Sequence, residues 1–354
     1  MMTVERMPFQ GTLPDTFFSM TTSSDEDPAF VQNLFWLEAD RNETILYTAS
    51  TVLRLVGIFP QDSDEAYFGF WETANDVTLN QHAFALLEVD ARQRSRTILI
   101  GPVQFNTFQR YRLRLTEAPS WGRFDREPVN PAYYPSLLAQ MGFRVRSRFE
   151  SRLIRHQAIP DAYQDKRNLL AELAQIPFDY IPLNPETWQR YEDELFTLVH
   201  QVFSANPAYR PVSSAQFNLL YNRRFAEALC PYSSVLFRDQ QTGQLVALSF
   251  CHPNYQSLAL PAGESPAFIR DFPRLDKKTL LVRSVGVHPD FRQRGLMSFL
   301  GAYGMMRFRD LYDEVIFCLM RADNFSLHFS DGMPRETAQY ALFEKNLRGS
   351  PELL

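Results

Sequence analysis

The sequence predicts an α/β protein of two domains, and three observations carry that prediction. The chain has 354 residues, more than one ordinary hydrophobic core organises. Short runs rich in β-branched and aromatic residues alternate with segments whose apolar residues recur at helical spacing. The order of these runs in the first half returns, more clearly, in the second. With 45% hydrophobic and 22% charged residues, the composition is that of a folded globular chain rather than a disordered one.

In the first half, residues 43–59 (ETILYTASTVLRLVGIF) and 65–72 (EAYFGFWE) read as strands. Val77, Leu79, Ala83, Phe84, Leu86 and Leu87 then fall at helical spacing. Residues 97–105 (TILIGPVQF) are apolar enough for a strand covered on both faces. A helix over 135–141, closed by Gly142, leads into a further strand. A polar, helix-like stretch over 161–175 separates the halves, placing the domains at 1–160 and 161–354.

The second half opens with a short strand, FDYIPL, and a helix started by Asn184 as cap and Pro185 at its first position. SSAQFNLLYNRRFAEAL reads as a second helix. SSVLFRD and QLVALSFCHP read as strands joined by a hairpin-like turn at Gln241-Thr-Gly-Gln. A β-branched run, TLLVRSVGV (Thr279–Val287), passes through a polar turn into a helix over about 295–309. The strand EVIFCLM, a short helix and the strand QYALFEKNL close the chain.

Charge and motif content exclude several functions. A net charge of -5 argues against nucleic-acid binding, which calls for a basic balance or patch. Neither a signal-peptide pattern nor an uncharged apolar run of membrane-spanning length is found, so no membrane partner is expected. Cys230, Cys251 and Cys318 lack paired spacing and sit among apolar neighbours, which predicts buried free thiols and a reducing, cytoplasmic setting. H-E-x-x-H, C-x-x-C and G-x-S-x-G are all missing, so no metal and no activated nucleophile is expected.

The turn after Thr279–Val287 is the stretch that points to a ligand. A helix N-terminus leaves backbone N–H groups without acceptors and carries partial positive charge. When a strand feeds straight into that end, those groups can converge on a phosphate. Gly295 lets the backbone come close, and Arg292 and Arg294 add charge. The other phosphate loops, G-x-x-x-x-G-K-[ST] and G-x-G-x-x-G after a strand, are not spelled anywhere.

Val285-Gly-Val287-His-Pro289-Asp-Phe-Arg292-Gln-Arg-Gly295-Leu296 resembles the acetyl-CoA-binding motif of the GNAT N-acetyltransferase superfamily. The strand VIFCLMRADNFS is similar to the family's next motif, with Asn324 where a cofactor contact is often made, and YALFEKNL resembles its closing strand. The resemblance covers about residues 178–347. It implies, for each half, a mixed, mostly antiparallel sheet flanked by helices. It further implies that the backbone N–H groups of Gln293, Arg294, Gly295, Leu296 and Met297, with Arg292, hold the pyrophosphate of acetyl-CoA. The strand edge at Val285 and Val287 would pair with the pantetheine arm, and an N–H there would polarise the acetyl carbonyl for direct attack by an amine. The implied acceptor is a small-molecule or peptide amine. The alternative is a non-catalytic acyl-CoA-binding or sensing protein.

The sequence departs from the family in three places. Met297 stands where the loop usually ends in glycine or alanine. The opening strand has no glutamate to serve as base, its only charge being Arg283. The helix after Asn324 has no tyrosine to protonate the thiolate, offering Ser326, His328 and Ser330 instead. His328 is the catalytic candidate, because a histidine side chain can serve as acid or base near neutral pH; as a structural residue between Leu327 and Phe329 it would be partly buried. His252 either faces the substrate cleft or, as expected, ends its strand at the surface; His288 is expected at the surface, Asp276 and Glu264 in a loop that reaches in or, as expected, is merely solvated, and Tyr340 in the core. The first half reads as a degenerate copy. Its Asn106 stands in for Asn324, but WETANDV has neither glycine nor arginine where the cradle belongs.

Overall fold

The computed structural model describes residues 3–19, 27–160, 166–261 and 263–348. Contacts gather the chain into two compact units interleaved along the sequence. The first comprises Met1–Leu115, Pro128–Arg148 and Tyr340–Leu354; the second comprises Thr116–Glu127 and Phe149–Gln339. A single cut near residue 160 therefore does not separate them.

In the first unit, β1 (Glu5–Pro8), β2 (Asn42–Ala49), β3 (Leu53–Pro60), β4 (Glu65–Thr73) and β5 (Ile98–Gly101) lie side by side in that order. The two-residue β6 (Leu113–Arg114) and β5 both pair antiparallel with the chain's last strand, whose Tyr340 to Asn346 lie in this unit. Pairing is antiparallel except between β4 and β5, which the helix α3 (Val77–Gln93) connects. Shorter helices are α1 (Asp15–Phe18), α2 (Pro28–Ala39) and α4 (Tyr134–Gln140). The core packs Phe68, Trp71, Phe84, Leu87, Leu138 and Phe143 between α3, α4 and the sheet. The run over 43–59 is two strands, not one. Ser50, at φ 47°, turns the chain so that Ala49 faces Leu53. Every other residue around that turn favours a strand, which hides it in the sequence.

The second unit takes residues 149–155 of β7 (Arg144–Arg155), with β8 (Phe178–Pro182), β9 (Val235–Asp239), β10 (Leu245–Pro253), β11 (Thr279–Val287) and β12 (Glu314–Arg321). Their order is β7-β12-β11-β10-β9-β8, with only β11 and β12 parallel. Its helices are α5 (Lys166–Leu173), α6 (Pro185–Phe203), α7 (Ser214–Asn218), α8 (Arg223–Ala228), α9 (Phe268–Asp271), α10 (Leu296–Met305) and α11 (Phe308–Leu311). Of the helical stretch expected over 161–175, residues 161–165 lie outside the described part. The last strand, β13 (Glu336–Asn346), begins in this unit and ends in the first.

Local chemistry explains these helices. Asn184 caps α6 in a reciprocal bond with Thr187, as its Asn-Pro start suggests. The helix expected across SSAQFNLLYNRRFAEAL is broken, because the Asn222 side chain accepts from the N–H groups of Arg224 and Phe225 and starts α8 afresh. The helix expected over 295–309 likewise ends at Met305, and α11 begins at Phe308. Sheet faces divide cleanly. Val285, Val287, Leu296 and Leu300 share one cluster on the α10 side. On the opposite face Trp188, Phe225 and Phe250 meet ring to ring, and Phe124 covers Leu153, Leu281 and Ile316. All three cysteines are buried and free. Among the described residues, no helix is long and apolar enough to cross a membrane.

The two units repeat one plan: a strand, a helix and a second strand parallel to the first, as β4–α3–β5 and as β11–α10–β12. The runs TILIGPVQF and EVIFCLM supply the equivalent strands β5 and β12.

Candidate functional site

In the second unit, β11 and β12 begin together and then part. Residues Thr279–Val282 pair with Glu314–Phe317, and the described pairing stops there although both strands continue. Each strand carries an irregularity at the fork. Phe250 faces Ser284 and Cys251 faces Val282, so Arg283 is the extra residue of a bulge in β11. In β12 the register against β7 shifts between Phe317 and Met320, with Leu319 at φ 54° and its N–H turned to Ser151 Oγ (2.9 Å). Bulges bend a strand and sharpen its twist, and two at one level open the sheet. The His288 N–H donates to the Val246 carbonyl on the β10 side (2.7 Å). Backbone groups alternate along a strand, so those of Val287 and Val285 face the gap.

At the mouth of the gap the chain makes a 3₁₀ turn, Pro289–Arg294, and passes through Gly295 into α10. Gly295 sits at φ 74°, which glycine adopts without strain. No side chain caps α10, so its first N–H groups have no capping side chain to satisfy them. The two arginines are held beside the turn. Arg292 reaches the carbonyls of Val287 (3.4 Å) and Val202 (3.2 Å), while Arg294 lies over the Phe291 ring (4.5 Å) and 3.6 Å from Asp239. Gln293 and Gly295 are exposed and Leu296 is buried. Met297 packs against the cluster of Val287 and Leu300, so its bulk is spent in the core rather than in the turn.

Beside α10 lies a cavity of about 150 Å³. Ser298, Gly301 and Met305 line it from one side of α10, Phe317 from the last paired position of β12, and Phe325 and Phe329 from the turn beyond. A Cβ on Gly301 would come within 3.4 Å of the Phe329 ring, so glycine there keeps the wall open. Apolar side chains dominate the lining, with Ser298 and His328 as its polar exceptions.

The remaining sequence candidates fall in different places. Asn324 is exposed and opens the 3₁₀ turn Phe325–Ser330 without a side-chain cap bond. His328 is exposed at the cavity rim instead of half-buried; its Nδ1 lies 2.7 Å from Asp331, and that bond holds the Asp331 carboxyl below its ordinary range. Ser330 is buried and accepts from Arg152 Nη1 (2.8 Å). Asp276 is exposed, Glu264 pairs with Arg270, and Tyr340 is buried in the first unit. His288 is buried rather than at the surface, and its Nδ1 accepts the Asp290 N–H (3.3 Å) to start the 3₁₀ turn.

His252 is the larger departure. Expected at a strand end in solvent, it is only 6% exposed and faces Leu281 across β10 and β11. The reason is tertiary: residues 116–127, far away in sequence, cover that end of the sheet through Phe124. Burial, with Arg283 nearby, pushes the imidazole down to about 4. A histidine neutral when folded and charged when unfolded costs stability as pH falls from its unfolded value near 6.5 to about 4. A tenfold difference in proton affinity between the two states corresponds to ~1.4 kcal/mol. His252→Asn, which keeps a donor near Nδ1, should therefore lose clearly less thermal stability than the parent between pH 7 and pH 4.5. Superimposable melting curves across that range would refute this.

The equivalent place in the first unit is closed. Asp76 caps α3 with its own carboxylate, accepting the Leu79 N–H (3.0 Å), so an anion already sits at that helix end. β4 and β5 also part, after Tyr67 and Ile100, but the Val103 N–H bonds back to the Phe68 carbonyl (2.8 Å). Phe35 meets Phe17 and Phe105 edge to face and Phe70 at a tilt beside it, and the fully buried Arg54 pairs with Glu72 (3.1 Å). Asn106, the counterpart of Asn324 by sequence, is buried and holds Glu38 (2.8 Å).

This architecture, two α/β units each with a forked pair of parallel strands around a helix, is the GNAT fold, carried in tandem. A solved tandem GNAT protein from the clavulanic acid biosynthesis pathway, determined without acetyl-CoA, matches it over 98% of this chain and 100% of its own, with a TM-score of 0.53 at 12% identity. A conserved protein of unknown function from Enterococcus faecalis V583, described as a probable N-acyltransferase, matches 98% of this chain and 73% of its own, with a TM-score of 0.51 at 9% identity. No protein-family model matches the sequence. No curated protein matches it either.

Proposed function

We propose that the second unit binds acetyl-CoA and transfers its acetyl group to a primary amine of a small molecule or peptide, and that the first unit is a copy without a donor site. The observation that carries this reading is the uncapped start of α10 after the left-handed Gly295, set at the mouth of the β11–β12 gap. Such an end suits a diphosphate: N–H groups without acceptors, a helix dipole and two arginines alongside. The backbone groups of Val285 and the Val287 N–H offer a strand edge along which an amide-bearing arm adds as a strand would, while the Val287 carbonyl accepts from Arg292 (3.4 Å). The apolar cavity beside α10 suits the uncharged part of the same ligand.

In this reading the chain acts mainly by placement. The turn at Gln293, Arg294, Gly295, Leu296 and Met297 holds the phosphates, and a gap-facing N–H of β11 polarises the thioester carbonyl as the amine attacks. The acetyl group passes directly to nitrogen and the free thiol departs. Three buried free thiols fit a reducing compartment, which supports a cytoplasmic location.

A second reading, acyl-CoA binding without turnover, is favoured by one observation. β11 carries no carboxylate, and the turn Phe325–Ser330 no tyrosine. Two measurements separate the readings. Calorimetric titration with acetyl-CoA should give one site per chain; two sites would contradict the capped state of α3. Thiol release across a panel of primary amines should then exceed the rate without protein, and binding without any release favours the sensor.

A further inference from the structure

The gap between β11 and β12 has an open end at Gly295 and a closed end where Val282 faces Phe317. Val287 lies four strand steps from Arg283 along β11, about 13 Å at strand spacing. A donor with its phosphates at the turn and its arm along Val287 and Val285 thus brings its thioester toward the closed end. β11 offers no acid or base there. Its neighbour does. His252 of β10 sits directly opposite Leu281, one residue before Val282 and on the face away from α10. Opposed residues on one face lie ~5 Å apart at Cβ.

The ring is set for one task. Its Nδ1 lies 2.9 Å from the Pro253 carbonyl, so Nδ1 carries the proton and Nε2 the lone pair. No hydrogen bond to Nε2 is found among the described residues; the residue keeps 6% of its surface exposed, and Nε2 is not one of the sealed polar atoms left without a partner. Charged and polar groups packed around it are Arg283 from β11, Asp125 from the segment Thr116–Glu127, and Tyr255, whose ring lies parallel at 6.3 Å. Arg283 binds Asp125, and the Asn254 side chain donates to the Arg123 carbonyl (3.1 Å), so this segment walls the site. Burial beside Arg283 keeps the ring in its neutral, proton-accepting form at neutral pH.

We propose that His252 is the catalytic base of the reaction put forward above: it takes the proton from the acceptor amine and returns it to the departing thiolate. The amine nitrogen bonds to the carbonyl carbon, whose π pair moves onto oxygen, and Nε2 takes an N–H proton. The oxygen pair then re-forms the double bond, the C–S bond breaks, and the sulfur takes the proton back from Nε2. The ring ends neutral, and the products are an amide and a free thiol. This rests on the acetyl-CoA reading and adds to it a residue on a different strand from the donor site.

The test uses the full chain with acetyl-CoA as donor and n-butylamine as acceptor probe, reading binding and thiol release separately. His252→Asn should bind acetyl-CoA within threefold of the parent and lose kcat by a hundredfold or more. His252→Gly should recover at least tenfold of its lost rate with added imidazole, which a purely structural role would not produce. In parallel, ¹⁵N-histidine spectra of the parent should show His252 with an unprotonated Nε2 at pH 7 that shifts when acetyl-CoA is added. Turnover by His252→Asn within threefold of the parent overturns the proposal and leaves the acetyl-CoA reading standing. Should the parent bind acetyl-CoA without acetylating the probe, unmoved His252 signals overturn it in the same way. If the parent binds no acetyl-CoA, the donor reading falls and the role of His252 falls with it.

Discussion

Gly295→Val should weaken acetyl-CoA binding by about five- to thirtyfold while leaving the protein folded. The position lies at φ 74°, where a β-branched residue is a true outlier. Holding such a residue there costs ~1–2 kcal/mol. The backbone would relieve that cost by rotating, and rotation turns the N–H groups of the turn away from the position a diphosphate needs. Two kcal/mol is about a thirtyfold change in dissociation constant, before any loss of close approach. A Cβ built on Gly295 meets no atom within 4 Å, so the substitution crowds nothing, and the backbone strain alone should lower the melting temperature by roughly 2 to 8 °C. Gly295→Ala should fall between the two. A dissociation constant for Gly295→Val equal to the parent's would remove the turn from the binding site.

Gly69→Ala should do the reverse: damage the fold and spare the ligand. A Cβ there would stand 2.2 Å from the Val103 carbonyl oxygen and 2.9 Å from its carbon, and neither is a side chain that can swing aside. Val103 is itself tied down by its bond to the Phe68 carbonyl (2.8 Å). Either β4 or the chain after β5 must move, and a close-packed core resists both. The expected cost is about 3 kcal/mol or more. For a unit of this size that lowers the melting midpoint by roughly 6 to 12 °C. Acetyl-CoA affinity measured well below the transition should stay within twofold of the parent. An unaltered melting curve would show that the closed fork of the first unit is looser than described.

What the sequence revealed and what it hid follow from the range of the interactions concerned. The turn at Arg292, Gly295 and Met297 was readable because a strand, a glycine and a helix start are neighbours in the chain. The fork was not. It depends on Arg283 being an extra residue against β10 and on Leu319 turning its N–H to Ser151, and both are matters of register between distant segments. The histidines show the same divide. His328 lies among apolar neighbours in sequence yet projects into solvent, whereas His252 and His288 sit at strand ends yet are buried by elements the local pattern cannot show. Repetition of the strand–helix–strand plan was visible in TILIGPVQF and EVIFCLM. The closure of the first copy by Asp76 and Val103 was visible only as the missing glycine and arginine of WETANDV.

The interleaving of the units also fixes an order of events during synthesis. The first unit's sheet includes residues of β13, more than two hundred positions after the β5 strand they pair with. Its core therefore stays incomplete, with the edge of β5 uncovered, until nearly all of the chain has left the ribosome. The second unit draws on residues up to 339 of the same strand. Both units are thus completed by one strand, and this strand, the last to be made, serves the two of them at once.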